Sequence, residues 1–399
     1  MSSLVTPRQG AKVVTVSDLA VTVLEQRAQL AQLRQEWERL LDRTDVASPF
    51  LTPDWQLAWL EIYGTRHRPF VLEARRRGEL VGLWPLALRR RGPFRVLEPI
   101  GSGRSDWLDI PVLASIRAAT LGAFCRLLAE QRRNWDLLDL RDILAESPTI
   151  PALEACIKHE PLSLRRCSRT VSPYLPIEGT WDGYLSSRSA NFRSSLRRRL
   201  RKAHETRGGL AIARLEAPEL GPIIEALAAV EQRSWKAREG TRKLTTAAGR
   251  EFYRRFCTAF AARNFLRIWT ATLEGAMVAY LVLFVHRGKC YYYNGAYAED
   301  AADLSPGTLL HAAAIEDAFR AGLREYDFLS GDEPYKDRWS AQRREIHHLA
   351  LFSGRPRSVL AFSTLISARW ALRNSQTLRR IRGELISAGR RLLRSRPSL

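Results

Sequence analysis

Residues 291–339 constrain the fold more than any other part of this sequence. The segment begins with three tyrosines of strand character, continues through an Asn-Gly turn and an amphipathic helix at 308–321, and reaches a second strand at 325–329 followed by a polar loop. Ligands of open α/β sheets bind where strand ends meet helix N-termini. The single helix between the two strands of this segment returns the chain to the sheet, so it brings the two strand ends close together. We therefore expect a site formed by three places: Asn294, residues 306–308 and residues 331–336.

The chain has 399 residues, enough for two or three domains, and its charge is strongly unbalanced. It carries 63 Lys and Arg against 42 Asp and Glu, a formal net charge of +21, and only 7 of the basic residues are Lys. A codon bias that replaces Lys by Arg leaves the net charge unchanged. The excess therefore indicates an anionic partner, which is phosphate, nucleic acid or a membrane surface.

The sequence contains no pattern typical of a metal site, a disulfide framework or a hydrolase. Its 5 cysteines include no CxxC pair, which favours reduced and mostly buried thiols in a cytosolic protein. The histidines form no HExxH motif, and there is no GxSxG motif. The N-terminus lacks the apolar run of a signal peptide, and the apolar run at 276–285 is too short to cross a bilayer. We expect a cytoplasmic protein with no metal.

Two halves of the chain show a similar order of predicted elements. The first half has helices at 28–41, from Thr52-Pro53 and at 116–132, with strands at 70–74, 80–88 and 135–140. The second half has helices at 218–236 and 246–263, followed by strands at 266–272, 277–285 and 290–294, and then the helix and strand of the opening segment. The order predicts a duplicated α/β lobe, although any two αβ units resemble each other at this level.

The predicted organisation has five parts: a flexible N-terminus at 1–20, a first lobe at 21–172, a linker and basic helix at 173–209, a second lobe at 210–354 and a basic tail at 355–399. The basic helix at 185–207 has eight basic residues, one acidic residue and a thin apolar face that includes Leu200. In the tail, apolar residues such as Leu378, Ile381 and Leu385 alternate by three and four between arginines. That pattern is typical of an amphipathic helix on an anionic membrane surface, and a helix packed on the protein is the alternative.

Several of these segments resemble a known family. The basic stretch SRSANFRSSLRRRLRKA, the helix LSPGTLLHAAAIEDAF and the strand and loop YDFLSGDEPYKDRW are together similar to the GNAT superfamily of acyltransferases. More narrowly, they resemble its CelD-like branch, which is tied to cellulose or exopolysaccharide synthesis, and SPFLTPDWQLAWLEIYG is similar to the N-terminal signature of that branch. Fem-type aminoacyl-tRNA ligases are similar in having two tandem GNAT-like lobes. The resemblance covers about residues 47–353.

The resemblance implies an α/β (α+β) fold of two tandem lobes, each a mixed, twisted sheet flanked by helices, with a donor thioester between splayed central strands. The glycine-rich pyrophosphate loop of the family corresponds here only to residues 304–308. A helix start favours an anion through its free N–H groups, and a plain helix cap is the alternative. The donor-binding residues implied for acetyl-CoA or another acyl-CoA are Ser305, Pro306, Gly307 and Thr308.

Acyl transfer needs a base for the acceptor, donors for the oxyanion and an acid for the departing thiolate. Asp332 and Glu333 follow a strand and are the predicted carboxylates, ahead of Asp327 within the strand, while Tyr293 or Tyr335 would protonate the thiolate. A solvated charged loop is the alternative. The predicted substrate-binding residues are Asn294, Tyr335, Lys336, Trp339, Arg188, Arg193 and Arg197, with packing favoured for Trp339 and a solvated basic face as the alternative for each arginine.

The sequence therefore supports three functions. The first is direct transfer of an acyl group, acetyl being the first candidate, from acyl-CoA to an amine or hydroxyl in polysaccharide or cell-envelope biosynthesis, with a saccharide or lipid-linked acceptor. The second uses aminoacyl-tRNA as the donor, since arginines suit tRNA phosphates. The third is a non-catalytic basic protein that binds a membrane or nucleic acid. For the first, the tail would hold the enzyme at the inner membrane face, with no specific nucleic acid as partner.

Overall fold

A computed structural model describes residues 13–374 apart from residues 17, 47, 217, 218 and 241. The strands of the first half are β1 (Val13–Val16), β2 (Leu19–Leu24), β3 (Arg68–Pro69), β4 (Val71–Arg76), β5 (Glu79–Trp84), β6 (Leu86–Arg91), β7 (Phe94–Pro99), β8 (Leu137–Leu144) and β9 (Leu162–Pro176). Its helices are α1 (Arg27–Gln32), α2 (Arg34–Arg43), α3 (Pro53–Tyr63), α4 (Arg117–Glu130) and α5 (Thr149–Ile157).

The second half begins with two helices and then contributes six strands. Its helices are α6 (Trp181–Ser187), α7 (Ala190–Glu205), α8 (Leu220–Gln232), α9 (Lys236–Glu239), α10 (Ala247–Ala262), α11 (Pro306–Arg320), α12 (Pro334–Asp337) and α13 (Pro356–Asn374). Its strands are β10 (Leu210–Arg214), β11 (Leu266–Leu273), β12 (Ala276–His286), β13 (Lys289–Tyr297), β14 (Glu325–Asp327) and β15 (Arg343–Ser353).

The described strands form two sheets, and the larger one runs through both halves. The smaller sheet has the order β1-β2-β4-β5, and the larger has the order β10-β11-β12-β13-β14-β9-β15-β8-β7-β6-β3. Most neighbours in the larger sheet are antiparallel, whereas β13 with β14 and β7 with β8 are parallel. The fold class is therefore confirmed as mixed α/β with helices beside the sheets.

The order of β8, β15 and β9 interlocks the two halves. β15 comes from the end of the second half, yet it pairs with β8 on one side and with β9 on the other. β9 in turn pairs with β14, so it connects the strands of the first half to those of the second half within one sheet. It also runs on to Pro176, into the segment expected as a linker at 173–209. The division into two lobes stays a prediction, and the sheet itself is continuous.

The sheet opens between β13 and β14. These strands pair only through Lys289–Tyr291 and Glu325–Asp327, and the rest of β13 continues without β14 beside it. Opposite β12, the register of β13 shifts between Asn294 and Tyr292, so that Tyr293 is the extra residue of a β-bulge. The bulge and the short pairing together create an open strand edge next to the start of α11.

Aromatic packing binds the halves on one face of the sheet. Trp55 of α3 is fully buried, and its ring lies 4.7 Å from that of Phe256 and 5.1 Å from that of Tyr293. α3 starts as the sequence predicts, because the Thr52 side chain accepts a hydrogen bond from the backbone N–H of Trp55 and Pro53 occupies the first helical position. The helix therefore places the Trp55 indole, which belongs to the first half, against aromatic side chains of the second half.

Three local predictions are wrong. The turn expected at Asn294-Gly295 is absent, since both residues lie within β13, where Gly295 fits because a Cβ would come within 2.9 Å of the Tyr280 carbonyl oxygen. The basic helix at 185–207 is two helices, because Ser189 caps α7 by accepting the N–H of Phe192. Leu200 does not belong to the apolar face of α7, since it is 48% exposed.

The tail can be described only at its start. α13 follows β15 directly and packs on β15 and β8. Residues 375–399, which include Leu378, Ile381 and Leu385, lie outside the described residues. The amphipathic tail helix and its membrane contact stay predictions.

Candidate active site

A cleft of about 1210 Å³ opens where β13 leaves β14. α7, the start of α11, the open part of β13 and the loop leading into α12 form its walls. A loop of the first half also reaches it and contributes Asp106. The cleft is thus built by both halves of the molecule, at a strand end beside a helix N-terminus.

The start of α11 forms one end of the cleft. Ser305 has a φ of 53°, which places it in the left-handed region and turns the chain sharply into the helix. Its side chain makes no helix cap and instead accepts a hydrogen bond from Arg199 Nε at 3.1 Å. The Ser305 carbonyl accepts the N–H of Thr308, and the N–H of Gly307 has no acceptor within the helix because Gly307 is its second residue.

Positive charge at this end is not neutralised. Arg188, Arg199 and Arg338 line the cleft, and in the described part of the chain no carboxylate lies within ion-pair distance of them. Burial and the neighbouring Arg338 lower the pKa of Arg199. Three arginines beside a helix N-terminus favour a ligand with several negative charges, such as a phosphate or pyrophosphate group.

A buried polar network forms the floor at the other end. Asn294 is 3% exposed, and its Nδ2 lies within hydrogen-bond distance of Glu231 Oε1 at 3.0 Å and of the Tyr253 and Tyr280 hydroxyls at 2.8 and 3.0 Å. Lys236 donates from Nζ to Asn294 Oδ1. Asn294 is a predicted substrate-binding residue, and it lies within this network as well as in the cleft wall.

Glu231 connects that network to the segment before α10. Its Oε2 accepts the backbone N–H groups of Lys243 and Leu244, each at 2.9 Å, and the Tyr280 hydroxyl donates to its Oε1 at 3.0 Å. The carboxylate is fully buried and uses both oxygens. Glu231 therefore fixes the backbone from which the Lys243 side chain enters the cleft.

Two lysines of the cleft are poorly solvated. Burial lowers the pKa of Lys236 to about 8 and that of Lys243 to about 7, while the charges of Glu231 and Asp106 oppose the shift. Burial raises the pKa of Asp106, and Lys243 and Lys336 act in the opposite direction. This end of the cleft thus holds ionisable groups of both signs with pKa values moved toward neutrality, an arrangement suited to proton transfer.

The loop that carries Asp106 is held by the second half at several points. The Tyr293 hydroxyl donates to the Arg104 carbonyl at 3.1 Å, and Arg104 Nη1 donates to the Lys243 carbonyl at 3.1 Å. The Asp106 carboxylate accepts a backbone hydrogen bond from Ser330. Asp106 therefore has a fixed position in the cleft although it comes from a distant part of the chain.

Asp327 stabilises the backbone next to the loop that carries Asp106. It is fully buried, and its carboxylate accepts hydrogen bonds from Trp107 Nε1 at 3.0 Å, from the Ser172 hydroxyl at 3.2 Å and from the Leu329 N–H at 2.7 Å. Burial raises its pKa to about 6. Leu329 has a φ of 58°, so Asp327 stabilises an unusual backbone turn between β14 and the cleft loop.

Lys336 shapes the loop after β14. Its Nζ donates to the carbonyls of Ser330 at 3.1 Å and of Leu329 and Gly331 at 3.4 Å, and lies 2.8 Å from Glu333 Oε2. These contacts curl the loop around a single ammonium group. Glu333 keeps half of its side chain exposed at the cleft.

An aromatic wall lies between the two ends. The rings of Tyr292 and His311 are 4.6 Å apart, and His311 Nδ1 lies 3.0 Å from the Tyr326 hydroxyl. Burial lowers the pKa of His311 to about 3, so this imidazole is neutral. Burial raises the pKa of Tyr292 to about 12, while a hydrogen bond from Tyr335 opposes the shift. The hydroxyls of Tyr292 and Tyr335 therefore stay protonated at neutral pH and can act as proton donors.

Most predicted site residues come together in the cleft. Those that line it are Arg188, Tyr293, Asn294, Ser305, Pro306, Gly307, Thr308, Glu333, Tyr335, Lys336 and Trp339. Three do not line it: Asp332 and Arg197 are exposed outside it, and Arg193 donates to the carbonyls of Ser186 and Arg188. Trp339 is 2% exposed and packs edge-on against Phe192 at 5.3 Å, in keeping with the favoured packing role.

Sequence reasoning missed the charged residues of the cleft floor. Asp106, Lys236, Lys243 and Glu231 lie in no motif, and Arg199 was one of many arginines in the basic helix. One signal was available, because the chain has only 7 lysines and three of them, at 236, 243 and 336, line the cleft. In an arginine-rich protein, the positions that keep lysine are informative.

No group of three or more His, Cys, Asp or Glu side chains among the described residues is placed to hold a metal ion. No helix within the described part of the chain combines the length and apolar character needed to cross a membrane.

Comparison with known proteins gives the following matches. The family model described as an acetyltransferase (GNAT) domain matches residues 190–337, from the start of α7 to the end of α12. No curated protein sequence matches the chain. The match supports a transferase, and the elements that it covers supply most of the cleft.

Solved structures extend the similarity to most of the chain. The crystal structure of FemX is 14% identical, with a TM-score of 0.56, covering 79% of this chain and 95% of that one. The C-terminal domain of a protein described as a lysylphosphatidylglycerol synthetase from Agrobacterium fabrum is 12% identical, with a TM-score of 0.52, covering 86% and 97%. L-PGS from Bacillus licheniformis is 13% identical, with a TM-score of 0.52, covering 84% and 96%. At these identities the matches show a shared fold.

Proposed function

We propose that this protein transfers an acyl group, acetyl being the first candidate, from acyl-CoA to an amine or hydroxyl acceptor of polysaccharide or cell-envelope biosynthesis. One observation carries the proposal. The cleft has an unneutralised cationic end at the start of α11, an open strand edge in the middle and a floor of mixed ionisable groups at the other end. These are the three environments that a phosphorylated donor, a reacting carbonyl and a proton-losing acceptor require.

The donor phosphates belong at the cationic end. Arg199 and Arg338 provide charge, the N–H of Gly307 provides a free donor, and the Ser305 and Thr308 hydroxyls line the same region. The carbonyl would then lie along the open edge of β13 beyond Tyr291, where backbone N–H groups without a partner strand are the candidates to stabilise the oxyanion.

The acceptor belongs at the floor. Asp106 is the preferred base, because its carboxylate has a fixed position and a raised pKa, while Glu333 is already paired with Lys336. Asp332 is a weaker candidate than the sequence suggests, since it is exposed outside the cleft. Tyr335 and Tyr293 stay the candidate acids for the thiolate, and both hydroxyls already have a partner: Tyr335 donates to Tyr292, and Tyr293 donates to the Arg104 carbonyl.

A second candidate function uses aminoacyl-tRNA as the donor. The observation that favours it is the outer face of α7, where Arg197, Arg198 and Arg201 are exposed and, within the described part of the chain, form no ion pair. An RNA backbone would suit such a face, and its binding would weaken steeply with salt. This donor would reach the same cleft from outside, so the two functions differ in which arginines matter.

Calorimetric titration with acetyl-CoA and CoA tests the proposal. Arg199→Ala should weaken acetyl-CoA binding by about tenfold, the loss expected for one charge-assisted contact. Arg197→Ala lies on the same helix outside the cleft and should leave that affinity within about twofold. Absence of binding at millimolar acetyl-CoA would contradict the proposal. Salt-sensitive binding of aminoacyl-tRNA that is weakened by Arg197→Ala would favour the second function.

A further inference from the structure

Lys243 has the least neutralised amine among the lysines of the cleft. Lys336 lies 2.8 Å from Glu333 and donates to backbone carbonyls, and Lys236 donates to the Asn294 amide above the buried Glu231. Lys243 donates only to the Tyr293 carbonyl, at 3.2 Å, and among the described residues no carboxylate lies within ion-pair distance of its Nζ. Its amine thus faces the cleft without a carboxylate of the described residues in ion-pair contact, and Asp106 acts on it only from a greater distance.

The position of this amine relative to the open strand edge is defined. Lys243 Nζ lies 3.8 Å from the centre of the Tyr293 ring. Tyr293 is the bulged residue of β13 and lies two positions after Tyr291, the last residue that pairs with β14. The backbone of Lys243 is fixed from both sides, because its N–H is accepted by Glu231 and its carbonyl accepts from Arg104. A carbonyl group placed along the open edge of β13 therefore comes next to this amine.

The environment of Lys243 also makes it a better nucleophile than an ordinary lysine. Burial lowers its pKa to about 7, with the positive charges of Lys236 and Arg104 adding to the shift and those of Asp106 and Glu231 opposing it. About half of such amines are neutral at pH 7, whereas an ordinary lysine of pKa about 10.4 is neutral in only about one molecule in 2500. Only the neutral amine attacks a carbonyl.

We propose that Lys243 is a site of self-acylation, where the amine of the cleft takes the acyl group from a bound thioester donor. The Nζ lone pair attacks the thioester carbonyl carbon, the C–N bond forms, and the C–S bond breaks with its electron pair leaving on sulfur. The proton lost from nitrogen ends on the thiolate, so acyl-CoA and lysine give an amide and free CoA thiol. The identity of the donor rests on the proposed function.

The product would change the cleft in a defined way. An amide at Lys243 carries no charge and cannot regain the proton, so Asp106 would lose the cationic neighbour that lowers its pKa. The added acyl group would also occupy the space beside Tyr293. Acylation without acceptor is therefore expected to inactivate the enzyme, and an acceptor bound at the floor would protect Lys243 by competing for the same carbonyl.

Mass spectrometry of tryptic peptides tests the proposal in two arms. In the first, the full chain reacts at pH 7 with a limiting amount of N-hydroxysuccinimidyl acetate, which needs no CoA site. Lys243 should be acetylated at least about tenfold faster than the exposed Lys158, and the ratio of the two rates should fall as the pH is raised toward 10. In the second arm, acetyl-CoA alone should add one acetyl group per chain, located on Lys243.

Variants give the controls. Lys158→Arg should leave the acetylation of Lys243 unchanged in both arms, Lys243→Arg should abolish acetylation by acetyl-CoA, and excess CoA should slow it. Equal rates at Lys243 and Lys158 in the first arm would overturn the proposal. So would calorimetric binding of acetyl-CoA without acetylation of Lys243. If acetyl-CoA does not bind at all while the first arm succeeds, the acyl-CoA donor fails as the proposed function and the reactive lysine stands.

Discussion

Gly295 offers a sharp test of how β13 shapes the cleft. A Cβ at this position would lie 2.6 Å from Leu281 Cδ2, 2.8 Å from the Tyr292 hydroxyl and 2.9 Å from the Tyr280 carbonyl oxygen. The leucine methyl can move, but the carbonyl belongs to the neighbouring strand β12 and cannot move without disturbing the sheet. Gly295→Ala must therefore separate the strands or displace Tyr292.

The size of the effect follows from these contacts. Overpacking of one methyl group costs about 1–3 kcal/mol, and loss of the hydrogen bond between Tyr292 and Tyr335 adds about 1 kcal/mol. We expect Gly295→Ala to lower the free energy of unfolding by about 2–4 kcal/mol, measured by urea titration with tryptophan fluorescence. Because the change lies on the open edge of β13, acetyl-CoA affinity measured by calorimetry should fall as well.

Gly221→Ala is the matched control. Gly221 lies in α8, and no atom would come within 4 Å of an added Cβ, so this variant should be as stable as the wild type or slightly more stable. If Gly295→Ala has the same urea midpoint and the same acetyl-CoA affinity as Gly221→Ala, the close packing of β12 against β13 does not determine the cleft.

Three other variants test the network around the cleft. Trp55→Ala should lower the free energy of unfolding by about 3–5 kcal/mol, because it empties a fully buried aromatic site and removes the donor to the Ser105 hydroxyl; a loss below about 1 kcal/mol would refute this. Glu231→Gln should cost about 2–4 kcal/mol, since an amide group must face either the two backbone N–H groups or the Asn294 amide; unchanged stability would show that the network can rearrange. The folded-state pKa of Lys243 is about 7, below the unfolded value of about 10.4, so the wild type loses stability as the pH falls through that window. The free energy of unfolding of Lys243→Met relative to that of the wild type should therefore rise by on the order of 3 kcal/mol as the pH falls from 10 to 7, and should stay constant below pH 7. If urea titrations show a difference that does not change with pH, the lowered pKa is excluded.

Local pattern was sufficient for much of the fold. Threonine followed by proline marks the start of α3, because the first N–H groups of a helix have no acceptor within it. The threonine side-chain oxygen accepts one of these N–H groups, and proline has no N–H. The apolar run at 276–285 predicts a buried strand, and β12 (Ala276–His286) follows it closely. Such predictions succeed where the cause lies within one turn or one strand.

The candidate site depended on causes that are distant in sequence. Asn294-Gly295 has the composition of a hairpin turn, yet packing against Leu281 and the Glu231 network keeps both residues in a strand. Asp106 reaches the cleft because a first-half loop is held by Tyr293 and Ser330, about two hundred residues later in the chain. A short stretch of sequence does not contain both partners of such a contact. The only sequence signal for the residues of the cleft floor is therefore the small number of lysines in this chain.

The insertion of β15 between β8 and β9 also determines when this protein can fold during synthesis. β8 and β9 are complete once the ribosome has passed Pro176, but the strand that joins them ends only at Ser353. Until then the nascent chain carries two long strand edges without their partner, and such edges invite pairing with other chains. Pairing over this sequence distance is slow to form. We expect a nascent chain released before residue 353 to depend on a chaperone that covers those edges.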